Sequence, residues 1–382
     1  MKKIVFMVLL ILFIPMRVQA YDEGAANGVN DQQLQSLYEY LNNMKTEYDI
    51  LKDVDVKDYV NSYMKTGDDN ITFQKVLKAL ITYSMKEVAA SMKFMAILII
   101  IAVVCALLTN LESAFSNDNV TNIAFFACYA ILIIIMAKSF YVGVEIAKVA
   151  ITKMSDFMMA LMPVLLMLLA SVGGIAEAVV VDPIIIGTIT ISAKIYMGIL
   201  IPIICMSFVL QFVNNISSDY KINKLTKLFN QVALWGQGII MTLFIGIITI
   251  RGISSKTIDL VTVKTSKYMV DNFVPVVGKS LSDAVSTVAG YSLLLKNALS
   301  SLGLILIIVI IAFPVIKILM MALMYKLTAA LIEPISDSRL VNCISAAGDS
   351  LILIMSSLIS VSVMFFILIS IIASAGKMIM GG

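Results

Sequence analysis

Long apolar runs separated by short polar stretches dominate the pattern of this chain. Seven runs occur: Phe94 to Leu111, Ile123 to Phe140, Phe157 to Val172, Ile184 to Val213, Val232 to Ile250, Ala298 to Tyr325 and Leu351 to Ala375. A transmembrane helix needs about 20 predominantly apolar residues, so the fourth and sixth runs are too long for one straight span. Each contains a proline, Pro202 or Pro314, where we expect a kink or a break because proline removes a backbone hydrogen bond. The pattern predicts six to eight spans.

The spacing of the prolines indicates an internal duplication. Pro163 and Pro202 are 39 residues apart, and Pro275 and Pro314 are also 39 apart, 112 positions later. Three further residues return 119 positions later: Ile216, Ser217 and Asn223 recur as Ile335, Ser336 and Asn342. We predict two copies of one membrane unit, roughly 150 to 250 and 262 to 375, with Pro163 as another candidate kink. The alternative is that any two helices rich in leucine and isoleucine look alike.

The N-terminus has the pattern of a secretory signal. Lys2 and Lys3 precede an apolar stretch from Ile4 to Ile14, and Val18 to Ala20 form a small-residue cleavage site. This pattern places the following residues outside the cytoplasm. An uncleaved anchor is the alternative, but the apolar stretch is short for a span.

Residues 21–93 form the one sizeable polar region, with 12 acidic and 8 basic side chains. Leu34, Leu37 and Leu41 follow the spacing of an amphipathic helix, and a further helix is expected to begin near Asn70 or Thr72 and to continue into the first span. Such a region either caps its own membrane domain or offers a docking surface to a partner's extracytoplasmic domain. The sequence favours the cap.

The predicted fold is all-α: a polytopic membrane helical bundle with an internal duplication, proline-kinked or re-entrant segments and a small N-terminal extracytoplasmic helical region. Its divisions are a signal peptide at 1–20, the extracytoplasmic region at 21–93, the first transmembrane helices at 94–149, and the two repeats at 150–250 and 251–382.

Residues 214–231 alternate lysines with apolar residues, and this pattern predicts an interfacial helix. Several small residues within the spans predict close helix packing: Gly236, Gly238, Gly246, Ser356 and Ser360.

The segment from Ser266 to Asn297 is too polar to face lipid and too apolar to be a solvated loop. Polar groups at membrane depth persist when they are buried in protein or line a wet cavity, so this segment is the candidate pore-lining or re-entrant element. Its candidate residues are Asp271, Pro275, Gly278, Lys279, Asp283, Lys296 and Asn297. A helix places Lys279 and Asp283 four residues apart on one face, where they can pair. The alternative is a pair of amphipathic helices on the membrane surface.

Composition agrees with a membrane protein and gives no support to an enzyme. The chain is 60% hydrophobic and 14% charged, whereas soluble domains carry roughly a quarter charged residues. A net charge of +3 gives no indication of nucleic-acid binding, and the absence of histidine removes the commonest general base. Four scattered cysteines indicate neither a metal site nor a disulfide framework, and we predict no cofactor. The triplet from Gly278 to Ser280 resembles a phosphate-binding loop, but Phe273 stands where that motif needs glycine.

The chain resembles the stage III sporulation protein AE family of endospore-forming bacteria. The resemblance rests on four blocks followed by the final span: Asn272 to Gly278, Leu293 to Asn297, Ala312 to Lys317 and Glu333 to Ile335. Where the family pattern leads us to expect a glycine soon after Asn297, this chain has Leu299 to Ser301 before Gly303.

The resemblance implies an integral membrane subunit of the channel-like complex between mother cell and forespore, required for forespore development. Its implied location is the mother-cell membrane around the forespore, and its implied partners are ring-forming and membrane proteins of that complex. No catalytic residue is implied. The alternatives are a purely structural membrane anchor for the complex and a stand-alone secondary transporter, the latter supported by the duplication and the interrupted segments.

Overall fold

The computed structural model describes helices throughout the chain's apolar part. It describes the backbone at 35, 37–42, 59, 60, 62, 63, 73–113, 118–172, 175–216, 222–273 and 278–375, and the side chains at 35, 37–42, 59, 60, 62, 63, 81–107, 127, 129–172, 185–214, 222–250 and 289–375. Seven long α-helices lie in these ranges: α1 (Phe73–Ser113), α2 (Asp118–Ser171), α3 (Ile175–Ile195), α4 (Ile201–Ile216), α5 (Asn223–Phe273), α6 (Gly278–Ile332) and α7 (Ser338–Ser374). The described residues contain no strand, which confirms the all-α prediction.

Six candidate membrane spans lie within the described residues, at the lower end of the predicted range. They are Ile81–Leu107, Tyr129–Ser171, Ile185–Asn214, Asn223–Ile250, Ala289–Ile332 and Ser338–Ser374. Each is long and apolar enough to cross a bilayer. The chain is therefore a multi-pass membrane protein.

The prediction of separate spans at Ile123 to Phe140 and Phe157 to Val172 is wrong. Helix α2 runs without interruption from Asp118 to Ser171, through the polar stretch that separates the two apolar runs. That stretch contains no proline, and its single glycine, Gly143, is accommodated within the helix, so no residue in it stops a helix. The two apolar runs belong to one helix of 54 residues.

The three candidate kinks behave differently. Pro163 lies inside α2 and Pro314 inside α6, so neither breaks its helix, contrary to the alternative of a break. At Pro202 the helix is irregular: a π-helical turn, Tyr196–Leu200, joins α3 to α4, and the Ile201 N–H bonds to the Tyr196 carbonyl five residues back. The wider π turn lies just before Pro202, whose ring has no N–H to donate and would clash with the carbonyl four residues back in a regular helix.

The predicted interfacial helix at 214–231 is also wrong as a separate element. Helix α4 ends at Ile216 and α5 begins at Asn223, so residues 223–231 are the first turns of a helix of 51 residues. The predicted divisions at 93/94, 149/150 and 250/251 each fall inside a helix. The division into a signal peptide, an extracytoplasmic region, first transmembrane helices and two repeats stays a prediction.

Aromatic contacts set the direction of the helices around α6. Tyr83 and Phe94 of α1 pack edge-on against Phe313 and Tyr325, at centroid distances of 4.6 and 5.6 Å, so α1 runs parallel to α6. Helix α2 runs antiparallel to α6. The Tyr325 hydroxyl donates to the Met136 carbonyl at 3.4 Å. Gly303, which precedes Tyr325 in α6, lies against Leu161, which follows Met136 in α2. These helices share one buried apolar core with α7.

The N-terminal segment packs onto this core. Leu37 and Leu41 are buried, in agreement with the apolar stripe predicted from their spacing. The Tyr40 ring stacks on Phe157 of α2, and the Tyr59 hydroxyl donates to Ser301 Oγ of α6 at 3.3 Å. Residues of the polar region that the structure describes therefore act as a cap on the membrane helices.

Candidate functional site

Lys296 is the fully buried charged side chain of the described core. Its exposed fraction is 0%, and its Nζ donates to the carbonyls of Ile372 at 3.1 Å and Ala373 at 3.2 Å, and also to that of Ala375. These carbonyls lie at the C-terminal end of α7, where the last turn of a helix offers more carbonyl oxygens than N–H groups to pair with them. The Ile372 carbonyl also accepts from the Ala375 N–H at 3.2 Å. A cation there also complements the partial negative charge of the helix terminus.

The helical spacing of α6 aligns two serines with this lysine. Ser292, Lys296 and Ser300 are four residues apart, lie on one face of the helix and are all buried. Among the described residues, no hydrogen-bond partner faces Ser300 Oγ or Asn297 Oδ1. We call Ser292, Lys296, Asn297 and Ser300 the lysine cluster. Buried polar atoms without a protein partner are uncommon and often mark a position that holds water or serves a function.

The structure describes the other predicted site residues only in part. Asp271 lies in the last turn of α5, and Gly278, Lys279 and Asp283 lie in the first turns of α6. Pro275 lies outside the described residues, and so do the side chains of Asp271, Lys279 and Asp283. The backbone is therefore helical on both sides of residues 274–277. Whether this segment lines a pore or lies on the surface stays a prediction.

Pro314 lies at a shallow cavity between α2 and α6. The cavity measures about 230 Å³ and is lined by Pro314 together with Glu145, Ile146, Val149, Ala150 and Lys153. One turn further along α6, Lys317 Nζ lies 3.2 Å from the Glu87 carboxylate of α1. This ion pair joins α1 to α6 on the side of the bundle where the proline lies.

A second set of buried polar residues was not predicted as a site from the sequence. Gln237 of α5 donates to Ser357 Oγ at 2.7 Å and accepts from Ser356 Oγ at 2.8 Å, both on α7. Nearby, Ser350 Oγ of α7 donates to Gln211 Oε1 of α4 at 3.4 Å. We call these five residues the polar seam. The available signal was the presence of glutamine within or beside apolar runs, since a buried amide must find partners.

Part of the packing prediction is confirmed beside this seam. A Cβ atom at Gly236 would lie 2.8 Å from Leu200 Cδ2, so α5 closely approaches the π-helical turn between α3 and α4. Gly238 and Gly246 have nothing within 4 Å of that position, so they do not serve close packing in the described structure. The sequence identified small residues but could not tell which of them face a neighbouring helix.

Comparison with known proteins agrees with the resemblance found in the sequence. Residues 54–376 match the family model for stage III sporulation protein AE. The chain is 36% identical over 342 residues to stage III sporulation protein AE of Bacillus subtilis (strain 168), which covers 90% of this chain and 86% of that protein. No solved structure matches the chain. A match over most of both sequences, on a bundle of six apolar spans, shows that the chain belongs to the stage III sporulation protein AE family.

Proposed function

We propose that this chain is the membrane-embedded subunit of a channel-like complex that links the mother cell to the forespore and sustains forespore development. It lies in the mother-cell membrane around the forespore, and its partners are other membrane and ring-forming proteins of the complex. Membership of a stage III sporulation family and the six candidate spans support this proposal. We assign the chain no catalytic step.

The length of the helices is the observation that carries the proposal. Helices α2, α5 and α6 contain 54, 51 and 55 residues. At a rise of 1.5 Å per residue each is roughly 75–85 Å long, whereas the hydrocarbon core of a bilayer is about 30 Å thick. Each of these helices therefore extends well beyond one membrane. A subunit that must reach partners between two membranes needs such extensions, and a transporter acting alone does not.

The N-terminal segment indicates on which side the extensions lie. It contacts α2 at Lys153, whose carbonyl accepts from the Tyr40 hydroxyl at 3.1 Å, and at Phe157. The apolar run from Ile123 to Phe140 lies nearer the other end of α2, and at 1.5 Å per residue its 18 residues span roughly 27 Å, close to one bilayer core. Because the N-terminal segment is expected outside the cytoplasm, the part of α2 beyond Lys153 extends to the extracytoplasmic side. We call residues 154–171 the α2 extension.

Removal of the chain from its own spore-forming host tests the proposed function. We expect engulfed forespores to form and then to arrest, with a loss of heat-resistant spores of several orders of magnitude that the intact gene restores. A tagged copy purified from sporulating cells should retain other sporulation membrane proteins. Normal numbers of heat-resistant spores without the chain would contradict the proposal.

A matched pair of substitutions tests the α2 extension. Met159 and Ile131 are both exposed apolar residues of α2, at 46% and 52%, one in the extension and the other within the expected bilayer span. We expect Met159→Glu to leave the membrane level of the protein near wild type, because the new carboxylate meets water. Ile131→Glu should lower that level strongly, because it faces lipid. Equal losses for both variants would place the extension in the bilayer.

A further inference from the structure

Side-chain contacts trace one layer across the helical bundle, from α2 to α7. Thr152 Oγ1 of α2 donates to the Met197 sulfur, in the π-helical turn, at 3.5 Å. The adjacent Tyr196 hydroxyl donates to the Gln237 carbonyl of α5 at 3.5 Å. The Gln237 side chain in turn donates to Ser357 Oγ of α7 at 2.7 Å. These residues therefore lie at one level along the bundle, which we call the Thr152 layer.

For five of the helices, the Thr152 layer lies within long apolar runs. Its residues in the π turn between α3 and α4, on α5 and on α7 each belong to such a run. On α6, Pro314 belongs to the run Ala298 to Tyr325 and lines the cavity of about 230 Å³ with Val149 of α2, one turn before Thr152. Helix α5 contains no charged residue between Val232 and Ile250. Most of the layer is therefore built for membrane depth.

Helix α2 is charged in the same layer. From Tyr141 to Asp156 it contains two acidic residues and two lysines, Glu145, Asp156, Lys148 and Lys153. Glu145, Thr152 and Asp156 are exposed, and their spacings of seven and four residues place them on one face of the helix. The outward face of α2 is therefore polar at a level where the outward faces of its neighbours are apolar.

The helices beside α2 extend this polar side. Glu87 of α1 lies 3.2 Å from Lys317 of α6, three residues after Pro314, and the neighbouring Lys86 is exposed. On α3, the exposed Lys194 precedes Met197 by three residues. The charges of the layer thus lie on α1 and α2 and on the parts of α3 and α6 next to them.

The opposite side of the layer is apolar. Helix α5 exposes Trp235, Ile239 and Leu243 there, on either side of Gln237. Such side chains are suited to lipid, whereas a charge at the bilayer centre costs roughly 3 kcal/mol even on the insertion scales. Several charged residues on one side therefore require water or protein around them. One layer of the bundle has a lipid side and a polar side.

We propose that the α1–α2 side of the Thr152 layer is a water-filled crevice at membrane depth that lines the aqueous passage of the complex. Helix α2 leaves lipid after Phe140, while α5 still faces it, and the crevice continues into the α2 extension. Because its charges are of both signs, the crevice fits hydrophilic solutes without selecting one sign of charge. This inference rests on the proposed function and identifies the surface that the chain contributes to it.

Two cysteine variants at the same level of the bundle test the crevice. Thr152→Cys places a thiol on the charged face of α2, and Ile239→Cys places one on the apolar face of α5, where Ile239 is 58% exposed. Each is introduced into a chain whose four native cysteines are replaced by alanine. In open membrane fragments from sporulating cells, a sulfonated maleimide should label Thr152→Cys at least tenfold faster, because the reactive thiolate forms in water.

A labelling ratio near one would overturn the crevice. Fast labelling of both variants would show that the whole layer lies outside the bilayer, and slow labelling of both would show that water does not reach α2. Protection of Thr152→Cys in the assembled complex, with labelling when the chain is produced alone, would also overturn it. In that case another protein covers the charged face.

A second pair of variants tests the crevice in a chain that retains its cysteines. Thr152→Glu adds a carboxylate to the proposed crevice, and Ile239→Glu adds one to the lipid side at the same level. We expect the membrane level of Thr152→Glu to stay within twofold of wild type and that of Ile239→Glu to fall at least fivefold. Equal membrane levels of the two variants would contradict the proposal.

Failure of the crevice can be distinguished from failure of the proposed function. If removal of the chain arrests forespores but Thr152→Cys and Ile239→Cys label at equal rates, the crevice is wrong and the role in sporulation stands. Normal sporulation without the chain would contradict the proposed function whatever the labelling ratio.

Discussion

The two ends of helix α7 are capped in different ways. At its N-terminus Asp337 accepts a hydrogen bond from the Arg339 backbone N–H at 2.7 Å, two residues away. At its C-terminus the cap is Lys296 of α6, which donates to the carbonyls of Ile372, Ala373 and Ala375. One cap is local in sequence and half-exposed, and the other joins two helices within the core. The comparison shows that the same requirement, partners for the end groups of a helix, can be met by chain neighbours or by tertiary packing.

The sign of each capping charge follows the helix dipole. The carboxylate of Asp337 lies at the positive N-terminus and the ammonium of Lys296 at the negative C-terminus, the stabilising arrangement at both ends. The first and last turns of α7 contain no acidic and no basic residue of their own, respectively. The C-terminal charge therefore comes from another helix. This arrangement makes the position of α6 part of the stability of α7.

The largest expected loss of stability follows removal of the C-terminal cap of α7 at Lys296. Lys296→Met removes a buried cation and leaves three terminal carbonyls without that donor, which we expect to cost on the order of 3 kcal/mol of unfolding free energy. Thermal unfolding of the purified protein in detergent measures the loss. Lys326→Met is the control on the same helix, since its ion pair with Asp349 is exposed and such pairs contribute about 0–1 kcal/mol. Equal losses of stability from the two substitutions would contradict the conclusion that Lys296 stabilises α7 as its C-terminal cap.

A smaller loss of stability is expected at Lys317, which also lies on α6. Lys317 pairs with Glu87, whose side chain is 14% exposed, so Lys317→Met leaves a mostly buried carboxylate without its cation. We expect this substitution to lower the free energy of unfolding by about 1–2 kcal/mol. The charge exchange Lys317→Glu with Glu87→Lys should recover most of it, measured by the same unfolding midpoint. If the exchange is as damaging as the single substitution, the pair does not join α1 to α6 through its charges.

The smallest effect concerns the local cap and depends on pH. Partial burial raises the pKa of Asp337, but hydrogen bonds and attraction from Arg339 lower it by more, so its net pKa lies below the usual value. A lowered carboxyl pKa stabilises the fold above the unfolded value near 3.9, and this contribution is lost as the pH falls through the folded value. Asp337→Ala should therefore cost about 1 kcal/mol at neutral pH.

Unfolding midpoints measured from pH 7 to pH 3 test this dependence. The gap between wild type and Asp337→Ala should begin to narrow below the unfolded pKa near 3.9 and narrow further as the pH falls through the lower pKa of the folded carboxyl. Asp337→Asn is the matched control, because it retains a capping oxygen without the charge. A gap that stays constant on acidification would show that the cap does not depend on ionisation.

Much of the fold could be predicted because its causes are local. Apolar runs of sufficient length require helices in lipid, since a helix pairs every backbone group within its own segment. The amphipathic spacing of Leu37 and Leu41 likewise indicated their buried face. Of the kink or break expected at Pro314, the break did not occur, because neighbouring groups in a packed bundle can compensate for the hydrogen bond that proline removes.

The candidate site could be predicted only in part. Lys296 and Asn297 were identified because charged and polar side chains stand out among apolar residues. Their surroundings could not be predicted, since the carbonyls that face Lys296 lie 76 to 79 residues further along the chain. Gln237 was missed because one amide in an apolar run gives no indication of its partner.

The sequence by itself determined that this protein is an all-helical, multi-pass member of the stage III sporulation protein AE family, because hydrophobic length and family motifs are properties of contiguous residues. Tertiary structure alone decided that two apolar runs join in α2, that Lys296 caps α7 and that Gln237 bonds to Ser356. These outcomes depend on the rotation and axial register of one helix against another. A change of one residue in register turns a helical side chain by about 100°, so only the packed bundle determines which polar groups meet.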